Sequence, residues 1–285
     1  MRHRVVPQAA SDEASLSFTP KKHADSNRHD AFYRWLFRRA GISLEHYRRP
    51  SFVRRLSACL RAVGAESQEE ARHAIEDDPS LLSKAIDAVL LGVTEFYRDP
   101  LVFDEIRKTV LPRLCQRRRR LRIWSAACSE GQELYSVAMM LAELGWLDQS
   151  ELVGSDCREE AIRSAEAGRF HVDSTASLPP GLSDRYFTTT GDYRDIRPTL
   201  GQNIRWTQAD LLDGVEAGPW DMVLWRNMAI YLTPSAAASV WQSVVDTIRP
   251  GGFLITGKAD HPPPGLGLMK VSPCIYELEI SRNSR

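Results

Sequence analysis

From Leu121 onward, apolar runs alternate with amphipathic runs, and this alternation constrains the fold more than any other feature of the sequence. The predicted strands are LRIWSAA, SELVGSD, NIRWTQADL, GPWDMVLWRN and GGFLITG, and the predicted helices cover 133–144, 159–167 and about 235–248. Strands that alternate with helices indicate a mostly parallel sheet with helices on both faces. We therefore expect an α/β protein with a Rossmann-like sheet, in which the last apolar run, CIYELEI, forms an edge strand.

The sequence before this region has a helical pattern instead. Apolar residues recur at helical spacing over 28–91, which predicts a small all-helical domain. Its predicted helices run from Asp30 to Ala40, from Phe52 to Val63, over SQEEARHAIED and over LLSKAIDAVLL. Residues 1–27 lack such periodicity and are predicted to be a disordered arm. The α/β domain then comprises residues 92–285.

The composition argues against several classes of location and function. The formal net charge is zero, and no apolar run approaches the roughly 20 residues that a membrane span requires. The N-terminal sequence has no apolar core of signal-peptide length. The five cysteines include no C-x-x-C pair, and the seven histidines are dispersed. We therefore expect a cytoplasmic protein without membrane insertion, disulfide framework or metal site.

A basic cluster lies in the helical region despite the zero net charge. Between residues 28 and 61, nine arginines face only two acidic residues, Asp30 and Glu45. The arginines are Arg28, Arg34, Arg38, Arg39, Arg48, Arg49, Arg54, Arg55 and Arg61. They form either a solvated helical face or a docking surface for an acidic partner. No nucleic-acid module accompanies them, so the partner expected is an acidic protein. A second basic run, RLCQRRRRL at 113–121, predicts an exposed helix end or turn.

Polar side chains follow each predicted parallel strand, where such sheets bind their ligands. They are Glu133 after the first strand, Asp156 after the second, Asp210 after the third, and Asn227 and Tyr231 after the fourth. The loop after the first strand has a single glycine, Gly131, and no G-x-G-x-x-G. Because Glu133 would repel a pyrophosphate at the start of the next helix, the sequence disfavours a dinucleotide.

A cationic adenosine cofactor fits these residues better. The acidic residue after the second strand typically binds a ribose diol, and here it is Asp156. Asp210 or its neighbouring backbone can bind the adenine amino group, and Glu133 would attract an ammonium and a sulfonium. The predicted cofactor is S-adenosylmethionine. Each residue also has a structural alternative: a helix cap for the aspartates, a helix-dipole partner for Glu133, a loop-backbone partner for Asn227, and a partly buried aromatic with a paired hydroxyl for Tyr231.

Four stretches of the sequence resemble one family, the chemotaxis receptor methyltransferases of the CheR family. They are FYRWLFRRAGISLEHYRRPSFVRRLSACLRAVG, LLGVTEFYRDPLVF, IWSAACSEGQELYSVAMM and WDMVLWRNMAIYL, and the resemblance extends over about residues 29–281. It implies methyl transfer from S-adenosylmethionine to receptor glutamates. It also implies an acidic helical receptor as the partner, bound through the arginine-rich helices by a monomeric enzyme.

The resemblance also implies individual site residues. Arg98 and Tyr231 would be catalytic, beside the transferred methyl group, and Arg98 would also contact the carboxylate end of the cofactor. Glu133 would hold the amino group of the cofactor, and Asp156 its ribose. The other implied cofactor-binding residues are Gly92, Thr94, Asp210, Leu211, Asn227 and Met228.

Several positions depart from the family pattern. Gly92 replaces a common Asn, Gln132 and Leu134 replace the Glu and Pro of G-E-E-P-Y-S, and GKAD at 257–260 replaces G-H-S-E. A small β-insertion is expected at about 170–206, but it has only Gly191 and Gly201, so binding of a receptor tail peptide is not expected. Two alternatives remain: a methyltransferase of this fold with another substrate, and a non-catalytic S-adenosylmethionine-binding docking module. RNMAIY lacks a proline pair, which argues against DNA amines as the substrate.

Overall fold

The computed structural model describes residues 21–90 and 94–280. The first of these ranges is helical. Its α-helices are α1 (Lys21–Arg39), α2 (Arg49–Val53), α3 (Leu56–Ala62), α4 (Gln68–Asp77) and α5 (Leu81–Leu90). On α1, the buried residues Phe32, Tyr33, Leu36 and Phe37 repeat at helical spacing. Tyr33 also donates a hydrogen bond to the carbonyl of Phe52, 2.9 Å away, which ties α1 to α2.

Two boundaries in the helical region differ from the prediction. α1 begins at Lys21 rather than Asp30, so residues 21–27 belong to a helix and not to the predicted arm. The segment 21–29 has no apolar stripe that would reveal the helix, but it also has no Gly or Pro that would stop it. The helix predicted from Phe52 to Val63 is divided into α2 and α3 by a turn. The predicted arm over 1–20 lies outside the described residues.

A helical connector leads to the sheet. It consists of α6 (Pro100–Glu105), a π-helical turn (Ile106–Val110) and α7 (Leu111–Arg117). The basic run at 113–121 covers the end of α7 and a turn, as predicted. Its side chains also have structural partners, because Arg113 and Arg117 both bind Glu277 and Arg118 binds the fully buried Asp221.

The strands form a large sheet and a small one. In chain order they are β1 (Leu121–Ala126), β2 (Ser150–Asp156), β3 (Arg169–His171), β4 (Phe187–Thr190), β5 (Tyr193–Ile196), β6 (Ile204–Gln208), β7 (Trp220–Trp225), β8 (Ile248–Thr256), β9 (Leu268–Ser272) and β10 (Ile275–Leu278). The large sheet has the order β6-β2-β1-β7-β8-β10-β9. Its first five strands are parallel, and β10 is antiparallel to both neighbours. The predicted Rossmann-like α/β fold is therefore confirmed.

The prediction that CIYELEI forms an edge strand is wrong. This run contains β10, which lies between β8 and β9, whereas β9 is the strand at the edge. The run alternates apolar and polar residues, a pattern typical of a strand with one solvated face. In the structure Glu277 is buried, and the two arginines of α7 neutralise it. A buried carboxylate with cationic partners is thus what makes an inner strand look like an edge strand.

Helices cover the large sheet. The longer helices are α8 (Gln132–Glu143), α9 (Glu159–Ala167) and α12 (Pro234–Asp246), and the short helices are α10 (Leu182–Tyr186) and α11 (Pro198–Gly201). Along the strands, alternate residues enter two apolar clusters. Trp124 and Trp225 belong to the same cluster as α12 and the N-terminal helices. Ile123 and Leu224 belong to the cluster of α7 and α8. The N-terminal helices therefore share a core with one face of the sheet.

The small sheet, in the order β3-β5-β4, follows α9 and precedes β6. It corresponds to the predicted β-insertion at about 170–206, but the prediction extends too far. Residues 204–206 belong to β6, which pairs with β2 in the large sheet.

Within the described part of the chain, no helix combines the length and apolar character needed to cross a membrane.

Candidate active site

A cavity of about 350 Å³ opens at the carboxyl ends of β1, β2 and β7. This volume falls within the range of about 300–1,000 Å³ that is typical of small-molecule sites. The loop after β1, the end of β2, the loop after β7 and the segment 94–98 all contribute to its wall. Tyr47 and Leu90 of the helical region complete the wall. The cavity thus lies where the sheet rim meets the N-terminal helices.

Most of the predicted site residues line this cavity. They are Thr94, Arg98, Glu133, Asp156, Asn227, Met228 and Tyr231. Gly92 lies outside the described residues. Asp210 and Leu211 are not in the cavity wall as far as the described residues define it. Asp210 accepts a hydrogen bond from the backbone N–H of Leu212 at 2.9 Å, so it caps its own turn, and burial raises its pKa.

Glu133 lies in the first turn of α8 and is held by two neighbours. Ser125 donates a hydrogen bond to its Oε1 at 2.7 Å, and Arg226 donates one to its Oε2 at 3.0 Å. A carboxylate has about four lone-pair positions, so Glu133 can accept further hydrogen bonds from a ligand. Its orientation is fixed before any ligand binds, and Arg226 offsets part of its charge.

Asp156 is the last residue of β2 and is buried. Its Oδ2 accepts from the backbone N–H of Ser129 at 2.9 Å, and its Oδ1 accepts from the backbone N–H and Nε of Arg158, each at 3.0 Å. One acceptor position therefore remains at Oδ2 for a ligand hydroxyl. Arg158 in turn reaches Asp87 of α5 at 2.8 Å, which links the second strand to the helical region.

The loop between β1 and α8 has an unusual backbone. Ala127 and Ser129 have φ values of 57° and 52°, in the left-handed region that non-glycine residues rarely adopt. Gly131 follows with φ 88°. A phosphate-binding loop would direct its amides at the ligand, but here the Ser129 N–H is bound to Asp156. The carboxylate of Asp156 thus binds a loop N–H that a phosphate would otherwise use, in agreement with the missing glycine-rich motif.

Arg226 is a site residue that the sequence reasoning missed. Its side chain is only 2% exposed, and it bridges Glu133 and Asp99 while also donating to the carbonyl of Arg98 at 2.8 Å. Lys258 binds the other oxygen of Asp99 at 2.6 Å. Burial by itself would raise the pKa of Asp99, but Lys258 and Arg226 hold it below its usual value. The available signal was the position of Arg226 directly after β7, next to Asn227.

The GKAD segment takes part in the same network. The carboxylate of Asp260 is 2% exposed and accepts from the backbone N–H of Asn227, and burial raises the pKa of Asp260. Asn227 has a φ of 60°, so this hydrogen bond holds a strained residue in the cavity wall. Gly257 is required by close approach, because a Cβ there would lie 2.7 Å from Nδ2 of Asn227. The departure from G-H-S-E therefore retains an acidic residue at the fourth position.

Tyr47 is the second residue that the sequence reasoning missed. It is 6% exposed and lines the cavity, and its hydroxyl has no hydrogen-bond partner among the residues that the structure describes. Nothing in its local sequence distinguishes it from a core aromatic. Its ring packs edge-on against Phe37 of α1, with ring centroids 5.7 Å apart.

The charged side chains that line the cavity suit an organic ligand with a positively charged group. Within 21–90 and 94–280, no group of three or more His, Cys, Asp and Glu side chains could hold a metal ion. The cavity instead offers two oriented carboxylates and the guanidinium of Arg98. S-adenosylmethionine has an ammonium, a carboxylate and a ribose diol that these three groups could bind.

Comparison with known proteins agrees with this assignment. Residues 92–266 match the family described as the CheR methyltransferase SAM-binding domain, and residues 29–90 match the CheR methyltransferase all-alpha domain. A chemotaxis protein methyltransferase of Listeria monocytogenes is 29% identical over 232 residues, which cover 81% of this chain and 88% of that protein. Chemotaxis protein methyltransferase 1 of Pseudomonas aeruginosa is 30% identical over 246 residues, with coverages of 81% and 89%. A chemotaxis protein methyltransferase of Salmonella typhimurium is 27% identical over 240 residues, with coverages of 79% and 81%.

Proposed function

Because the chain belongs to the CheR methyltransferase family, whose cofactor is S-adenosylmethionine, we propose that it methylates glutamate side chains of a chemotaxis-type receptor or a related signalling protein. One observation carries the proposal. Glu133, Arg98 and Tyr231 line the same cavity, so a cofactor whose amino group is bound by Glu133 has its reacting end beside Arg98 and Tyr231.

The cofactor contacts in this proposal follow the chemistry of each group. Glu133 binds the ammonium, Asp156 accepts from the ribose and Arg98 binds the carboxylate of the cofactor. Adenine lies on the side of Asp210 and Leu211. Further cofactor contacts are proposed for Gly92, Thr94, Asn227 and Met228. The hydrogen bonds that already fix Glu133 and Asp156 support this arrangement, because a prearranged site loses little entropy when it binds.

The chemistry needs little from the protein beyond alignment. When bound, S-adenosylmethionine would supply a methyl group on a positively charged sulfur: the oxygen of an ionised carboxylate bonds to the methyl carbon, the bond from that carbon to sulfur breaks, and S-adenosylhomocysteine leaves. A glutamate has a reference pKa of about 4.3, so the acceptor is ionised at pH 7 and needs no general base. The side chains of Arg98 and Tyr231 orient this carboxylate, and the walls of the cavity limit the access of water.

The helical region supplies the proposed receptor contact. We define the arginine surface as the exposed arginines between residues 28 and 61 for which side chains are described: Arg34, Arg38, Arg39, Arg48, Arg49, Arg54 and Arg61. Arg48 connects this surface to the cavity, since its Nε donates to the carbonyl of Leu232 at 2.6 Å. An acidic helix bound to the arginine surface would thereby lie close to Tyr231.

The first test is methyl transfer itself. The protein would be incubated with radiolabelled S-adenosylmethionine and the cytoplasmic fragment of a chemoreceptor from the organism that encodes the chain. Methyl esters release volatile methanol in base, so base-labile label on the fragment identifies carboxylate methylation. A fragment whose methylated glutamates are changed to alanine is the control. Binding of the cofactor without any base-labile transfer would contradict the proposal and favour the non-catalytic docking module.

The role of Arg98 is tested separately. We expect Arg98→Ala to lower turnover on the receptor fragment by more than its weaker binding of S-adenosylhomocysteine accounts for, because the acceptor carboxylate loses an orienting cation in addition to the cofactor carboxylate losing its partner. Arg107→Ala is the matched control, since Arg107 is exposed and bound to Asp104 outside the cavity. A large loss of affinity at normal turnover would instead assign Arg98 to the cofactor alone.

A further inference from the structure

Tyr47 belongs to the helical region, yet it is one of the residues that line the cavity. Its ring packs on Phe37 in the helical core, and the residue shares the cavity wall with Asp156 and Cys157. The cost of burial, together with the nearby Cys157, Asp210 and Asp156, raises the pKa of Tyr47 far above its usual value. The group is therefore a neutral hydroxyl that can donate a hydrogen bond.

A buried hydroxyl without a partner is costly, and proteins rarely retain one. The Tyr47 hydroxyl is such a group among the described residues, and Tyr47 is a residue of the cavity wall. Tyr33 provides the contrast, because it is also buried in the same helical region but donates to the carbonyl of Phe52 at 2.9 Å. The difference indicates that the partner of Tyr47 is supplied by what binds in the cavity.

The backbone around Tyr47 is firmly attached to the catalytic side. Tyr47 forms an antiparallel bridge with Leu232. The N–H of Arg48 donates to the carbonyl of Tyr231 at 2.7 Å, and the N–H of Thr233 donates to the carbonyl of His46 at 2.7 Å. These backbone hydrogen bonds hold the segment of Tyr47 against the segment of Tyr231.

We propose that Tyr47 donates a hydrogen bond to the adenosine part of S-adenosylmethionine, so that the helical region completes the cofactor site. The adenosine end is indicated because Asp156 and Asp210, on the ribose and adenine sides, are among the charges that raise the pKa of Tyr47, whereas Glu133 is not. The inference deepens the proposed function, since it requires the same cofactor in the same cavity. It adds that the helical region, besides docking the receptor, binds the methyl donor.

The test compares Tyr47→Phe with Tyr33→Phe. Calorimetry would measure the affinity of each purified full-length variant for S-adenosylhomocysteine and for 5′-methylthioadenosine, which lacks the amino-acid end. We expect Tyr47→Phe to bind both ligands about tenfold more weakly, the effect of one buried hydrogen bond. Its melting temperature without ligand should be unchanged or higher, because an unpaired hydroxyl is removed. Tyr33→Phe should bind both ligands normally and melt at a lower temperature.

Several outcomes would overturn the inference. They are wild-type affinity of Tyr47→Phe for both ligands, a loss confined to S-adenosylhomocysteine, and a fall in melting temperature equal to that of Tyr33→Phe. A wild-type protein that binds neither ligand would also overturn it. Failure of the proposed function has a different signature, because a protein that transfers no methyl group to the receptor can still show the Tyr47 effect on both affinities.

Discussion

Arg226 is the residue on which the charge balance of the cavity depends. Its guanidinium reaches Glu133 on one side and Asp99 on the other, and the side chain is 2% exposed. Buried charges are tolerated only when they are paired, and the planar fork of arginine can serve two carboxylates and a carbonyl together. Arg226 thereby couples the residue proposed to bind the cofactor's amino group to the segment that carries Arg98.

This geometry predicts that Arg226→Lys is strongly destabilising although the charge is kept. A lysine cannot hold Glu133, Asp99 and the Arg98 carbonyl at the same time, so at least one buried group loses its partner. We expect the free energy of unfolding in urea to fall by about 3 kcal/mol. Affinity for S-adenosylhomocysteine should fall as well, because Glu133 is no longer fixed.

Arg163→Lys is the matched control for this prediction. Arg163 also bridges two carboxylates, Glu159 and Glu160, but on the surface of α9 with 62% of its side chain exposed. Exposed pairs contribute about 0–1 kcal/mol, so this substitution should have little effect. Equal losses for the two variants would show that burial of the Arg226 network is unimportant.

The residues that could be predicted from the sequence are those whose position is local. Glu133 and Asp156 follow predicted strands, and the rule that ligands meet the carboxyl ends of parallel strands brings them together. Arg226 also follows a strand directly, but its role could not be assigned from that position alone, because its partners Glu133 and Asp99 lie 93 and 127 residues away. Tyr47 could not be assigned either, because an unpaired hydroxyl is a property of the folded core and not of the local sequence.

At the scale of elements, the loop before α8 combines strained backbone with close packing. Gly131 has a φ of 88°, and a Cβ there would lie 2.6 Å from the Trp206 ring. Cys128 and Ser129 of this loop and Glu133 of the first turn of α8 line the cavity. A displacement of Gly131 would therefore move the wall of the proposed cofactor site.

The two ends of α8 offer a matched pair of substitutions. Gly145 follows the helix with a φ of 70°, and a Cβ added there would have no other atom within 4 Å, so Gly145→Ala introduces only backbone strain, about 1 kcal/mol. Gly131→Ala adds a steric clash, and we expect a total loss of about 2–4 kcal/mol. Only Gly131→Ala should also weaken binding of S-adenosylhomocysteine in calorimetry. Similar effects of the two substitutions on stability and binding would contradict the role of the Trp206 contact.

Element boundaries were predictable where the pattern is strong, and strand order was not. The predicted strand SELVGSD is β2, and the predicted helix 159–167 is α9. The inner position of β10 was missed because the partners of Glu277 come from α7, which lies far away in the sequence. The start of α1 was missed because its first residues have no apolar stripe, so the sequence there contains no periodic signal for a helix.

At the scale of the molecule, the helical region and the sheet form one functional unit. They share an apolar cluster, and segment 46–48 pairs with segment 231–233. Arg158 and Asp87 add an ion pair between α5 and the end of β2. A receptor helix on the arginine surface would thus contact a region that is rigidly connected to the cavity, and not an independent tethering domain.

This arrangement predicts that receptor binding is electrostatic and requires the arginine surface. The Debye length is about 10 Å at 0.1 M salt and about 3 Å at 1 M, so affinity for the receptor fragment should fall steeply between these concentrations. Arg34→Ala/Arg38→Ala removes two exposed charges one turn apart on α1. This double variant should bind the receptor fragment more weakly at low salt, and its binding should depend less on salt.

Arg119→Ala/Arg120→Ala is the control, because it removes two exposed charges outside the helical region. Its affinity for the receptor fragment should remain that of the wild type. Because S-adenosylhomocysteine binds in the cavity and not on this surface, its affinity should be the same in both double variants. An equal loss of receptor binding in the two would mean that total charge, and not the arginine surface, attracts the receptor.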